Sequence, residues 1–273
     1  MIKNVSFNSA IYVFLFVIVF ISVVPFLWVV LSSFKSNRDI LTFSLGGGLY
    51  VRNYINAFRI APIARYFVNS IVVTGLGIAI NLVLMSMAGY VLARHQFRFR
   101  GLVRGIFALG LLIPGAALLL PLFMSVKAIG LYDTKASLIL VYAAFGMPTS
   151  VFIMSSYFLT IPLAIEESAY LDGSGFAHTF AAIILPIARP SFATAGIMQF
   201  LLCWNEFQFA LTLTTGHESR TLPVALYYFK SAFASDYGAM FAAIVVVSVP
   251  SIIVYILAQK QIVSGLAAGA VKG

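Results

Sequence analysis

Charge is scarce in this sequence. Only eight of its 273 residues are acidic, and charged residues of both signs make up 9%. Soluble domains carry about a quarter charged residues. A chain that is 62% hydrophobic, with mean hydropathy +1.02, cannot hide its apolar surface in one aqueous core. The bilayer is the expected solvent. A lone cysteine, Cys203, excludes an internal disulfide and a thiolate metal site. His95, His178 and His217 lack metal-ligand spacing, and no Ser/His/Asp arrangement can be drawn. No paired acid/base or metal constellation lies within reach of one span end, which argues against a membrane-embedded enzyme. No G-x-x-x-x-G-K-[ST] is present, so nothing in the chain can cradle ATP phosphates in a P-loop.

What charge there is leans basic, +9 with a pI near 9.7. The basic residues sit between apolar runs rather than on one face, so anchoring beside a membrane explains them and nucleic acid does not. Six runs are long enough to cross about 30 Å of hydrocarbon, which takes roughly 20 helical residues. They lie at about Ala10–Phe34, Val68–Ala93, Leu102–Val126, Ala136–Phe158, Ser191–Thr215 and Gly238–Ala258. The first has Lys3 as a charged flank, but its run is too long for a signal-peptide core. Ser33-Phe34-Lys35 offers no small-residue cleavage site, so a retained signal anchor is expected. Pro25, Pro114, Pro148 and Pro250 fall inside the runs and imply kinked helices packed together. Charge does not orient the bundle: Arg94, Arg98, Arg100 and Arg104 crowd one short loop, and Lys35, Arg38, Arg52, Arg59 and Arg65 balance them in another.

The most informative stretch begins Ile161-Pro162-Leu163-Ala164-Ile165-Glu166-Glu167-Ser168-Ala169-Tyr170-Leu171-Asp172-Gly173 and continues to Ile183-Ile184-Leu185-Pro186. Pro162 suits a first helical turn. Gly173 suits a left-handed helix end, and Ser174 suits the cap of a second helix running to Pro186. The expected product is a helix–turn–helix protruding from the membrane with Glu166, Glu167 and Asp172 on it. A helix lying on a bilayer is normally basic, so an acidic one points to a protein partner with a basic groove, or to a solvated connector.

This segment resembles the cytoplasmic EAA loop of binding-protein-dependent ABC importers: E-A-A, three residues, G, nine residues, I, one residue, L-P. Glu167-Ser168-Ala169, Gly173, Ile183, Leu185 and Pro186 fit that spacing, with Ser168 in place of the usual alanine. Pro25-Phe26-Leu27-Trp28, Ser33-Phe34-Lys35, Asn53-Tyr54, Phe67-Val68-Asn69-Ser70, Gly89-Tyr90-Val91-Leu92-Ala93-Arg94, Trp204-Asn205-Glu206-Phe207 and Ala268-Gly269-Ala270-Val271-Lys272-Gly273 resemble further elements of the smaller permease of maltose-type and multiple-sugar importers. The resemblance implies one permease domain over residues 1–273, an all-α polytopic bundle of about six transmembrane helices, with a coupling loop at about 160–187. It implies a bacterial inner-membrane subunit with both termini cytoplasmic, and Glu166, Glu167, Ser168, Ala169, Asp172 and Gly173 coupling it to an ATPase. The implied partners are two ATPase copies carrying ATP and Mg, a second permease and an extracytoplasmic solute-binding protein. No cofactor is expected in this chain, and the expected cargo is a sugar or similar polyhydroxylated solute.

Inside the spans, Glu206 is the only acid, toward the outer side. Intramembrane carboxylates face a cavity or a partner, so Trp204, Asn205 and Glu206 are either near the pathway or its outer gate, or part of helix packing. Asn69 and Asn81 read as interhelical hydrogen-bond glue. The polar stretch Gly216–Asp236, with His217, Glu218 and Arg220, is either a loop that meets the binding protein, as the resemblance implies, or a plain solvated loop. An ion-coupled secondary transporter is the rival. It would need buried titratable groups on several helices, often in repeated halves, and only Glu206 qualifies.

Overall fold

The computed structural model describes residues 2–44, 47–229 and 236–270, with side chains described from Ile11 to Gln261. The expected C-terminal element Ala268–Gly273 and the flank Lys3 thus lie outside the described side chains, and part of the Gly216–Asp236 loop lies outside the described residues. Among these residues the secondary structure is helical, with no strand. The chain divides into two compact units, 1–64 with 225–249, and 65–224 with 250–273.

The first unit opens with α1, Ile2–Ser32. Its described apolar side chains from Ile11 to Ile21 are all exposed, as expected of a helix that meets lipid. Ser36 caps the short α2, Asn37–Leu41, by accepting from the Asp39 amide. Then α3, Arg52–Ile60, folds back on the end of α1. Buried Asn53 donates through Nδ2 to the carbonyls of Ser33, 2.9 Å away, and Lys35, 2.8 Å away. Ser33 Oγ meets Tyr54 OH at 2.9 Å, and the Phe34 and Tyr54 rings lie 5.1 Å apart. The two sequence elements Ser33-Phe34-Lys35 and Asn53-Tyr54 thus form one joint, which satisfies the orphan carbonyls at the end of α1. Lys35 Nζ bonds the Ser44 carbonyl and sits 4.4 Å from the Trp28 ring centre.

The second unit holds α4, Ile63–Arg94, except its first two residues. It continues with α5, Arg100–Gly110, a 3₁₀ turn Gly115–Leu118, α6, Leu119–Ala128, and α7, Lys135–Phe158. Thr134 caps α7 through the Ser137 amide. After the helices of the coupling segment come α11, Arg189–Trp204, and α12, Gln208–Leu213. The last helix, α13, Tyr237–Ala270, passes from the first unit to the second at Pro250. Close packing of α7 on α11 depends on Gly146: a Cβ there would come 1.5 Å from Gln199 Oε1. Gln199 Nε2 uses that space to donate to the Tyr142 carbonyl at 2.7 Å.

Four helices are long and apolar enough to span a membrane, and six spans result if each of two bent pairs counts as one. The second bent pair joins Phe176–Ile187 to Arg189–Trp204, and two of the expected spans are not continuous. Leu102–Val126 is broken into α5 and the Gly115–Ala128 stretch, bent by 98°. Gly110 abuts the Pro148 ring, and Pro114 is extended with ψ 131° and has no amide to continue the helix. Ser191–Thr215 is broken at Asn205–Phe207, where α11 ends and α12 begins. Glu206, expected inside a span, lies in this break.

Candidate functional site: the loop 160–187

After α7 the chain turns through Pro162, whose φ of −58° and ψ of 134° lead into α8, Leu163–Leu171. Asp172 ends the helix. Gly173 follows at φ +83°, a left-handed conformation open to glycine and strained for other residues. The Ser174 amide donates back to the Ala169 carbonyl at 2.9 Å and the Gly173 amide to Tyr170 at 3.0 Å, closing the helix end. The second helix departs from expectation. Ser174 does not cap it: Ser174 Oγ instead accepts from Thr179 Oγ1 at 3.0 Å, and Gly175 occupies the cap position. α9, Phe176–His178, runs into a π-helical turn, Thr179–Ile184, and then α10, Leu185–Ile187. A 74° bend follows before α11.

The acids of α8 divide between two faces. Glu166 is buried, and its carboxylate lies 2.6 Å from Arg94 Nε at the end of α4, with both side chains buried. Tyr90 OH donates to the other Glu166 oxygen at 2.8 Å, and Arg94 also donates to the Ile161 carbonyl at 2.6 Å. The Tyr90 ring packs against Phe158, Phe176 and Phe180, with centroids 4.8–5.6 Å apart. A single tyrosine thus touches α7 and both arms of the loop. The expectation of three partner-facing acids is corrected here: Glu166 is an internal anchor, and Ala169 is buried beside it. Glu167, Ser168, Asp172 and Gly173 are exposed.

Leu163, Glu167 and Leu171 recur every fourth residue and therefore form one stripe on α8. Leu171 is 89% exposed and Leu163 56%. Two exposed leucines thus flank the exposed Glu167 carboxylate on one face of the helix. Sequence reasoning singled out the acids and missed the leucines, although the four-residue period was there to be read. It also noted Gly89–Arg94 without giving Tyr90 and Arg94 a task.

The second candidate set lies where α11 breaks. Trp204 is buried, edge-on to Phe67 and stacked on Phe200. Asn205 accepts from Ser251 Oγ at 2.9 Å and donates back to the Leu201 carbonyl. Glu206 accepts from Tyr142 OH at 2.7 Å and from the amides of Phe209 and Ala210 at 2.7 and 3.0 Å. These bonds satisfy the first amides of α12 and explain why the span can break there. Asn81 bridges helices as expected, donating to the Ala143 carbonyl. Asn69 instead holds a loop, donating to the carbonyls of His217 and Arg220.

That loop is not a plain solvated one over its described residues. Ser219 and Thr221 are buried, and Asp133 clasps residues 215–219. Asp133 accepts from the Thr215 and Gly216 amides at 2.8 and 2.9 Å, and from the Thr215 and Ser219 hydroxyls. Burial pushes the Asp133 carboxyl up, but the Ser219, Gly216 and Thr215 donors together outweigh it and hold it at about 2.

Residues 85–264 match the family described as binding-protein-dependent transport system inner membrane component. The chain belongs to this family. It is 38% identical to the diacetylchitobiose uptake system permease protein of Streptomyces coelicolor, over 91% of this chain and 84% of that one. It is 34% identical to the trehalose transport system permease protein of Mycobacterium tuberculosis, over 92% and 93% of the two chains. Among solved structures it resembles a chain of a bacterial ABC transporter involved in import of the acidic polysaccharide alginate, with TM-score 0.83, 21% identity and coverage of 94% and 97%. That last likeness concerns the fold. As a member of this family the chain is a multi-pass, non-catalytic permease subunit of an ABC importer, which works with a solute-binding protein and separate ATPase subunits. Family membership leaves no support for an ion-coupled transporter.

Proposed function

We propose that this chain carries a sugar or related polyhydroxylated solute across the bacterial inner membrane, and that its α8 stripe is where an ATPase subunit docks. The observation that carries the docking is the division of α8. Glu166 is locked inward by Arg94 and Tyr90, which turns Leu163, Glu167 and Leu171 outward as a mixed apolar and acidic face. The cargo class rests on relatives named for diacetylchitobiose and trehalose. The assembly is this chain, one sister permease, two ATPase copies that bind ATP and Mg, and an extracytoplasmic binding protein. With α8 on the ATPase side and six crossings, both termini are cytoplasmic by parity. Gly173 sets the angle of the loop, Ser168 and Asp172 border the docking face, and Ala169 packs behind it. Trp204, Asn205 and Glu206, at a break within the membrane, border the outer part of the pathway.

Glu167→Ala tests the docking. At equal permease abundance it should lower co-purified ATPase and uptake while the protein remains inserted. Full retention of both would make α8 a passive connector.

A further inference from the structure

Polar side chains at each end of α4 grip a different segment. Near its start, Tyr66 OH meets His217 Nδ1 at 2.8 Å, and Asn69 Nδ2 donates to the carbonyls of His217 at 3.2 Å and Arg220 at 2.8 Å. Ser70 Oγ accepts from the Leu222 amide at 2.7 Å. Arg65 and Glu218 add an exposed ion pair that contributes little. Asn69 and Ser70 are buried, so they carry this clamp. At the far end, Tyr90 and Arg94 grip Glu166 and the Ile161 carbonyl.

Both clamps sit on one helix of 32 residues, about 48 Å long at 1.5 Å per residue. Pro25, Pro148 and Pro250 lie inside the other long helices, and α4 has no proline. Its i→i−4 ladder is therefore uninterrupted by the one residue that must break it. Midway, Asn81 bonds the Ala143 carbonyl of α7. Nearer the Arg94 end, a Cβ on Gly89 would come 3.1 Å from Met154 Cβ, so α4 is seated closely on α7.

We propose that α4 is the transmission rod of the importer. It links the 217–222 segment, on the side where the binding protein arrives, to α8 on the ATPase side. The proposal rests on the reading of α8 as the ATPase docking helix. Buried polar bonds resist opening because each freed group stays desolvated. A shift of either clamped segment therefore moves α4 instead of slipping past it. Tyr90, Arg94, Asn69 and Ser70 are positioning residues in this scheme: none touches solute or nucleotide.

The test uses the complete importer, with its ATPase, sister permease and binding protein. Arg94→Gln, Asn69→Ala and the double variant are compared for co-purified ATPase, basal hydrolysis, hydrolysis stimulated by solute-loaded binding protein, and uptake. Asn69→Ala, which lies away from the docking face, should keep the ATPase and basal hydrolysis and lose about tenfold of the stimulation, and Arg94→Gln should lose at least as much stimulation per co-purified ATPase, within the range of allosteric coupling. Arg94→Lys should restore part of it. The double variant should be no worse than the worse single one, because a rod cut at either end is already cut. If Arg94→Gln folds poorly, Tyr90→Phe removes one Glu166 bond, keeps the ring packing, and should lower stimulation in the same direction. Undiminished stimulation in a well-folded single variant overturns the rod, as do losses that multiply in the double variant. Glu167→Ala separates the two levels: if that variant keeps its full ATPase, the docking reading has failed and not only the rod.

Discussion

Arg94 and Glu166 lie 2.6 Å apart with both side chains buried, while Glu167, the next residue, faces water. Adjacent carboxylates of one helix thus face opposite ways. Glu166→Ala strands a buried guanidinium and should destabilise the protein by about 3–5 kcal/mol. Glu167→Ala should change stability by no more than about 0.5 kcal/mol, as at an ordinary surface position. Thermal unfolding of the two variants in detergent distinguishes them, and a reversed order would refute the division of faces.

Gly173→Val forces a β-branched residue to φ +83°, at a strain of about 1–3 kcal/mol. A Cβ there would meet nothing within 4 Å, so the whole effect is conformational. Insertion should be normal and sugar-stimulated hydrolysis reduced. Gly173→Asn, which tolerates the left-handed region, should recover much of the loss.

Glu206→Gln keeps one carbonyl acceptor and places an amide donor among the Tyr142 hydroxyl and the Phe209 and Ala210 amides. The expected loss of stability is about 0.6–2 kcal/mol, the range for hydrogen bonds within membranes. A residue that also borders the pathway should change the KM for uptake at equal assembly. An unchanged KM would confine Glu206 to the joint between α11 and α12.

The Asp133 clasp sets a pH dependence with a definite sign. Its folded value near 2 is below the 3.8 of a free carboxyl, so the ionised form is the one that stabilises. That contribution is fully present above about pH 4 and is lost as pH falls through about 2. Between those limits the wild type should lose stability that Asp133→Asn does not have to lose. Parallel acid unfolding curves for the two proteins would show that Asp133 contributes nothing by its charge.

Hydropathy was a good guide to where helices lie and a poor guide to where they break. The run Leu102–Val126 is apolar but for Arg104 and Ser125, yet Pro114 and the contact of Gly110 with Pro148 bend it by 98°. A hydropathy window records proline as one mildly polar residue and does not register the missing amide. Glu206 was legible as a costly intramembrane acid. Its partners were not, because Tyr142 lies 64 positions away. On α8 the left-handed Gly173 was readable from residue type alone. The inward turn of Glu166 was not, since it depends on Arg94 and Tyr90 arriving from another helix. Asn69 looked like helix glue by its place in an apolar run, and only the tertiary path of residues 217–220 shows that it holds a loop.

Leu171 is 89% exposed, and Leu163 stands with it on the same stripe. On the proposed docking, a subunit without its partner displays two uncovered leucines on α8. Chaperones and proteases triage incompletely stabilised chains, and stability differences of about 1–2 kcal/mol change abundance severalfold. If α8 docks on an ATPase subunit as proposed, an orphaned copy should be shorter-lived than an assembled one, and the amount of this protein should follow the supply of that partner.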